Sequence, residues 1–123
     1  PQKFFTPFFK APTADFEIKT KKYGTFRIEF QCGFQGVNDI KEHKVLEAAR
    51  VYKNDNIRSL ILHVDLFNGF VAFVDISNID EKNINWEYRQ QFEGKKVFHI
   101  NEKYFIWNLS EKPPTLDFIL KNI

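Results

Sequence analysis

Apolar and polar positions alternate with a period of two from residue 15 to residue 32. Asp15, Glu17 and Lys19 fall on one face, Phe16 and Ile18 on the other. Beyond a turn at Lys22-Tyr23-Gly24-Thr25, Phe26, Ile28, Phe30 and Cys32 alternate with Arg27, Glu29 and Gln31. The pattern predicts a hairpin over about Ala14–Cys32, followed by a loop marked by Gly33 and Gly36. The period then becomes helical. Asp39 reads as an N-cap, Glu42 completes a capping box, and Val45, Ala48, Ala49 and Tyr52 form an apolar stripe on a helix running to about Lys53. Ile57–Phe67 and Phe70–Ile76 read as strands, and Asn68-Gly69 between them is a type I′ turn signal. Leu60, Leu62, Val64 and Leu66 share one face of the first strand, while Ile61 and His63 share the other, so both faces are expected to be covered.

The rest of the chain is less periodic. Ser77–Asn85 reads as a polar loop, and Trp86–Gly94 as one or two helical turns. Lys96–Ile100 and Tyr104–Leu109 read as a second hairpin around Asn101-Glu102-Lys103, with Phe105 and Trp107 alternating onto one face. Pro113-Pro114 breaks the chain, and Thr115 is placed to cap a short last helix. This order of elements predicts an α+β (mixed α/β) fold: one domain over residues 1–123, with one principal helix on a mixed sheet of about five or six strands. Residues 1–13 form an aromatic arm, in which Pro7 and Pro12 oppose a helix and Phe4, Phe5, Phe8 and Phe9 are expected to dock on the body.

Composition narrows the class of protein. Hydrophobic residues are 43% and charged residues 28%, which excludes a disordered chain. The net charge of +2 excludes a uniformly basic polyanion binder, so any nucleic-acid contact needs a local patch. One cysteine excludes an internal disulfide and, with three histidines, argues against a thiolate zinc site. The longest apolar stretch, Leu60–Ile76, is interrupted by His63, Asp65, Asn68 and Asp75, so no membrane span is expected. A cytoplasmic location is the expectation.

The residues that carry candidate chemistry are Asp15, Glu17 and Lys19. Two acids and a lysine on one strand face can hold a divalent metal beside a cation, an arrangement suited to phosphodiester hydrolysis. The Glu17-Ile18-Lys19 triplet within DFEIKTKK, with the strand, helix and apolar strand after it, resembles the PD-(D/E)xK nuclease superfamily over roughly Thr13–Val74. The resemblance implies a Mg²⁺-dependent endonuclease acting on DNA. Asp15 and Glu17 would ligate the metal, and Lys19 would orient the attacking water or stabilise developing charge. Asp15 stands only two residues ahead of Glu17, closer than the family's usual first acid, and Glu29 on the neighbouring strand could supply a further carboxylate. Gln31 or Gln35 could orient water or phosphate.

Other readings stand beside this one. The same residues make an ordinary charged strand face, with cross-strand pairs such as Lys19 with Glu29 or Glu17 with Arg27. Lys19, Lys21, Lys22, Arg27, Lys41 and Lys44 form a basic surface able to follow a phosphate backbone, with Tyr23 near the hairpin tip available for stacking. The alternative function is therefore a non-catalytic module. It would bind nucleic acid, or pair with a protein, including a second copy of itself, through the arm or an edge strand. His43 reads as an exposed helix residue, His63 as a hydrogen-bonded core histidine, and His99 as similar to His63. Cys32 reads as a buried small hydrophobe.

Overall fold

The computed structural model describes residues 16–33, 37–79, 86–89 and 95–123. Asp15, Gln35 and the aromatic arm lie outside the described residues. The elements are β1 (Phe16–Thr20), β2 (Gly24–Gly33), β3 (Asp39–Lys41), α1 (Glu42–Asp55), β4 (Arg58–Asp65), β5 (Phe70–Asp75), β6 (Trp86–Arg89), β7 (Lys95–His99), β8 (Phe105–Asn108) and α2 (Leu116–Lys121). A five-stranded mixed sheet runs β1-β2-β4-β5-β8, and a three-stranded sheet runs β3-β7-β6. With one main helix this is an α+β fold, as the periodicities predicted.

β1 and β2 form the expected antiparallel hairpin, in register Phe16 with Ile28 and Glu17 with Arg27. Gly24 closes the turn at φ +83°, a conformation that glycine takes without steric cost. The Thr20 hydroxyl accepts from Tyr23 N–H at 2.9 Å and donates to the Gly24 carbonyl at 2.9 Å. β2 then runs parallel to β4, and α1 is the crossover between them.

The main sheet is covered on both faces. On one, Ile61, Ala72, Val74 and Ile76 pack with Val45 and Ala48 of α1 and with Ile40, Phe98 and Ile100 from the small sheet and its exit. On the other, Phe26, Ile28, Leu60, Val71 and Phe73 pack against Leu120 of α2. Burying one such large side chain contributes about 1.5–3 kcal/mol. The expected stripe on α1 is thus half realised: Val45 and Ala48 are buried and Ala49 is exposed. Thr115 caps α2 as expected, its hydroxyl accepting from Phe118 N–H at 3.1 Å.

Several expectations are corrected. Asp39 is not a helix cap; it lies in β3, opposite His99 in the β3–β7 ladder, and the N-cap position, Lys41, makes no side-chain cap bond. Ile40 is fully buried in the first core cluster, and a cap at Asp39 would draw it out. Trp86–Arg89 is a strand and not a helical turn; Trp86 packs edge-on against Phe98 opposite it. β7 and β8 do not form a hairpin. A 3₁₀ turn at Glu102–Tyr104 separates them, and β7 joins the small sheet while β8 pairs with β5. Phe105 and Trp107 part company because the β5–β8 register slips at Val71/Ala72. Phe105 then packs on the first core cluster and Trp107 on the second. The β4–β5 turn spans Leu66–Gly69 with positive φ only at Gly69, so it is not type I′. The Asp65 carboxylate holds this turn by accepting from Phe67 N–H at 2.9 Å. Cys32 is exposed, and Phe30 beside it is 48% exposed, because both lie outside the cluster that α2 covers.

Candidate functional site

Two polar regions stand out, one on each half of the main sheet. The first is the charged face of the β1–β2 hairpin. Strand alternation puts Glu17 and Lys19 together on an exposed face of β1. Glu17 stands opposite Arg27, and Lys19 opposite Thr25. Of the two expected cross-strand pairs, the register therefore places Glu17 with Arg27 and does not place Lys19 with Glu29. Glu29 is engaged instead by Lys44 of α1, Nζ to Oε2 at 2.6 Å, with both side chains about one quarter to one third exposed. Arg27, Glu29, Lys44, Glu47 and Ser59 line a small cavity of about 20 Å³, in which Arg27 Nε and Ser59 Oγ are buried without hydrogen-bond partners.

This donor set does not suit magnesium. Mg²⁺ takes hard oxygen ligands. Here the Glu29 carboxylate is occupied by an ammonium, and the orphaned atoms beside it are a guanidinium nitrogen and a hydroxyl. A dication at this point would face two cations. Among the described residues no group of three or more His, Cys, Asp and Glu side chains is placed to hold a metal ion.

The remaining cations of the region behave differently. Lys19, Lys21 and Lys22 are all exposed, and Lys41 is exposed at the start of α1. Lys22 Nζ lies 5.2 Å from the Tyr23 ring centre. The Tyr23 hydroxyl, and then Asp117, hold the Lys22 pKa above its ordinary 10.5, so it stays charged throughout the neutral range. Tyr23 itself is half-buried and donates to Asp117 Oδ1 at 3.3 Å, an engagement at odds with stacking on a base. Gln31 is likewise spent. Its amide nitrogen donates to the Asp39 carbonyl at 2.9 Å and to His63 at 2.7 Å, so it does not orient a phosphate.

The second region lies at the C-terminal ends of the parallel pair β2 and β4. His63 is 1% exposed, the hydrogen-bonded core histidine that its apolar strand predicted. Both hydrogens of the Gln31 amide nitrogen are used, one of them on His63 Nδ1, so Nδ1 is an acceptor and the ring proton sits on Nε2. That proton goes to Asn38 Oδ1 at 2.8 Å, and Asn38 Nδ2 donates to Asp65 Oδ2 at 3.3 Å. Burial pushes the His63 pKa below its ordinary 6.5; Asp65 and Asp39 pull the other way and do not prevail. Gly33 makes room for this chain of bonds. A Cβ there would fall onto the Val37 carbonyl oxygen and within 2.6 Å of Asn38 Oδ1 and 2.7 Å of His63 Nε2.

His99 is not in a setting like that of His63. Its side chain is 38% exposed, and Nδ1 lies 3.2 Å from Oδ1 of Asp39, whose side chain is only 2% exposed. Glu87 Oε2 lies 3.9 Å from the same nitrogen. His99 borders a groove of about 450 Å³, together with Asn38, Asp65, Asn68, Phe70, Ile100, Glu102 and Phe105. Sequence spacing gave no hint of this groove, because its walls come from the segment before β3, the β4–β5 turn with the strand ends beside it, and the stretch from the end of β7 to the start of β8. The one available signal was the pair of acids, Asp39 and Asp65, at the ends of otherwise apolar segments.

Comparison with known proteins finds no family model, no curated protein and no solved structure that matches this chain.

Proposed function

We propose that this protein is a nucleic-acid-binding module that holds the phosphate backbone with the β1–β2 hairpin and does not hydrolyse it. The observation that carries this reading is a division of labour among the charges of one face. The Glu29 carboxylate is taken up by Lys44, Glu17 stands opposite Arg27, and Lys19, Lys21 and Lys22 remain exposed within four positions of the hairpin. A carboxylate already held by an ammonium, as Glu29 is, neither recruits a metal nor repels a polyanion strongly. Exposed ammonium groups are point charges that displace the counterions of DNA or RNA. The magnesium nuclease implied by the Glu17-Ile18-Lys19 motif uses the same strand, and a single experiment separates the two readings.

That experiment measures binding of a fluorescent duplex and a fluorescent single strand across a salt series, without metal and with Mg²⁺ or Mn²⁺, and follows strand integrity in parallel. The binding reading expects metal-independent retention, intact strands, and log Kd rising linearly with log salt. Replacing Lys19, Lys21 and Lys22 by Ala is expected to flatten that slope by about two to three units, since each lost phosphate contact removes about one. Strand cleavage that needs metal and is abolished by Glu17→Ala would restore the nuclease. Binding with no salt dependence would remove the nucleic-acid reading altogether.

A further inference from the structure

We infer that the cavity between β2, β4 and α1 is a hydration site that holds one water molecule on Arg27 Nε and Ser59 Oγ, and that it takes water in preference to an ion. It is independent of the phosphate-binding reading, which uses Lys19, Lys21 and Lys22.

Strand register builds the site. Arg27 and Ser59 are partners in the parallel β2–β4 ladder, so their side chains leave the sheet on the same face, from strands about 4.8 Å apart. Polar atoms at such a spacing are within reach of one bridging oxygen, which makes hydrogen bonds of about 2.8–3.0 Å to each. Glu29 and Ile61 follow along the same face, and Lys44, Glu47 and Ala48 of α1 close over it.

The protein itself does not satisfy these two atoms. Arg27 Nε is a donor only, and Ser59 Oγ both donates and accepts. Both are buried without a hydrogen-bond partner, and Ser59 as a whole is 7% exposed. The main chain of Ser59 is already committed. Its N–H donates to Ser77 Oγ at 2.6 Å, and its carbonyl accepts from Ile76 N–H at 2.9 Å. Polar atoms buried in this way are costly unless solvent completes their bonds.

Size and charge select the occupant. A volume of about 20 Å³ exceeds the about 10–15 Å³ that one water needs and falls far below the about 300 Å³ of the smallest organic-ligand sites. The lining carries two cations, Arg27 and Lys44, and two carboxylates, Glu29 and Glu47, so its formal charge cancels. A halide would accept from Arg27 but face both carboxylates. A metal cation would leave the Arg27 N–H unpaired. Water accepts that N–H and still has hydrogens for Ser59 Oγ and for the Glu29 carboxylate, whose Oε2 holds Lys44. The bound water thereby ties β2 to β4 beneath the helix.

The test is NMR of the full chain, isotopically labelled at arginine nitrogen, with the Arg27 Hε resonance identified by its loss in Arg27→Lys. That resonance is expected to show a nuclear Overhauser peak to water with the sign of a molecule that tumbles with the protein, in chloride and in sulfate buffer alike. Ser59→Ala removes one partner of the water, and is expected to shorten its residence, read from the magnetic relaxation dispersion of the solvent, by about two- to tenfold, the contribution of one hydrogen bond. An absent peak in the wild type, a peak with the sign of freely diffusing surface water, an Arg27 Nε shift that follows chloride concentration, or a residence unchanged in Ser59→Ala overturns the proposal. If Ser59→Ala does not fold, the wild-type peak and its indifference to chloride decide.

Discussion

The Gln31 amide nitrogen lies 2.7 Å from His63 Nδ1, and this contact decides which nitrogen of the ring carries the proton. With its second hydrogen on the Asp39 carbonyl, the amide leaves His63 no room to become doubly protonated without breaking a bond. The network is therefore built for neutral imidazole, and its consequence is acid sensitivity.

The folded-state pKa of His63 lies below its ordinary 6.5, so between that folded value and 6.5 the unfolded chain binds more protons. This contribution to stability is fully present above about pH 6.5 and is lost as pH falls through the lowered pKa. Thermal melts from pH 8 to pH 5 should show a falling midpoint below about pH 6.5. His63→Gln should flatten that part of the profile, and an unchanged profile in the variant would dissociate the effect from His63.

Gly33→Ala should destabilise the protein by about 1–3 kcal/mol, the usual range for an atom forced into a packed site. The new methyl group meets a backbone carbonyl as well as Asn38 and His63, and a carbonyl in the chain cannot swing aside as a flexible side chain would. Urea unfolding should show a lower midpoint with an unchanged slope. Loss of the His63–Asn38 bond should also appear as a shift of the His63 ring resonances.

Magnesium should leave the melting midpoint unchanged at millimolar concentration, as should EDTA. A ligand that binds only the folded state stabilises it by an amount that grows with the logarithm of its concentration above Kd, and Glu29 is already held by Lys44. Glu29→Gln should cost at most about 1 kcal/mol, because both partners are partly solvated. A rise in midpoint with Mg²⁺ that disappears in Glu17→Ala would contradict this.

Phe98→Ala should cost about 3–5 kcal/mol, measured by urea unfolding. Phe98 is fully buried, pairs with Ile40 in the small sheet, and meets Trp86 edge-on at 5.8 Å. Exposed Phe67→Ala, in the β4–β5 turn at 79% exposure, should stay within about 0.5 kcal/mol of wild type.

Local periodicity made the β1–β2 hairpin, the main helix, β4 and β5, and the Thr115 cap legible from residue types, since each is written within a few positions of the chain. It also put Ile61 and His63 on one covered face, but left the pairs Lys19–Glu29 and Glu17–Arg27 both open until the β1–β2 register placed Glu17 opposite Arg27. It failed wherever a segment chose a distant partner. Asp39 carries every mark of a helix cap, yet its backbone pairs with His99, 60 positions away, because that pairing buries Ile40 against Phe98. The β7–β8 segment looks like a hairpin, yet its halves serve different sheets. Glu29 looks available for a metal until α1 lays Lys44 beside it. Alternation and capping are properties of neighbouring residues, so the chain alone determines them. Which strands pair, which charges neutralise one another and where a groove opens depend on burying whole faces at once. The entropy of closing a loop rises only slowly with its length, so spacing along the chain leaves those partners undetermined until the fold is complete.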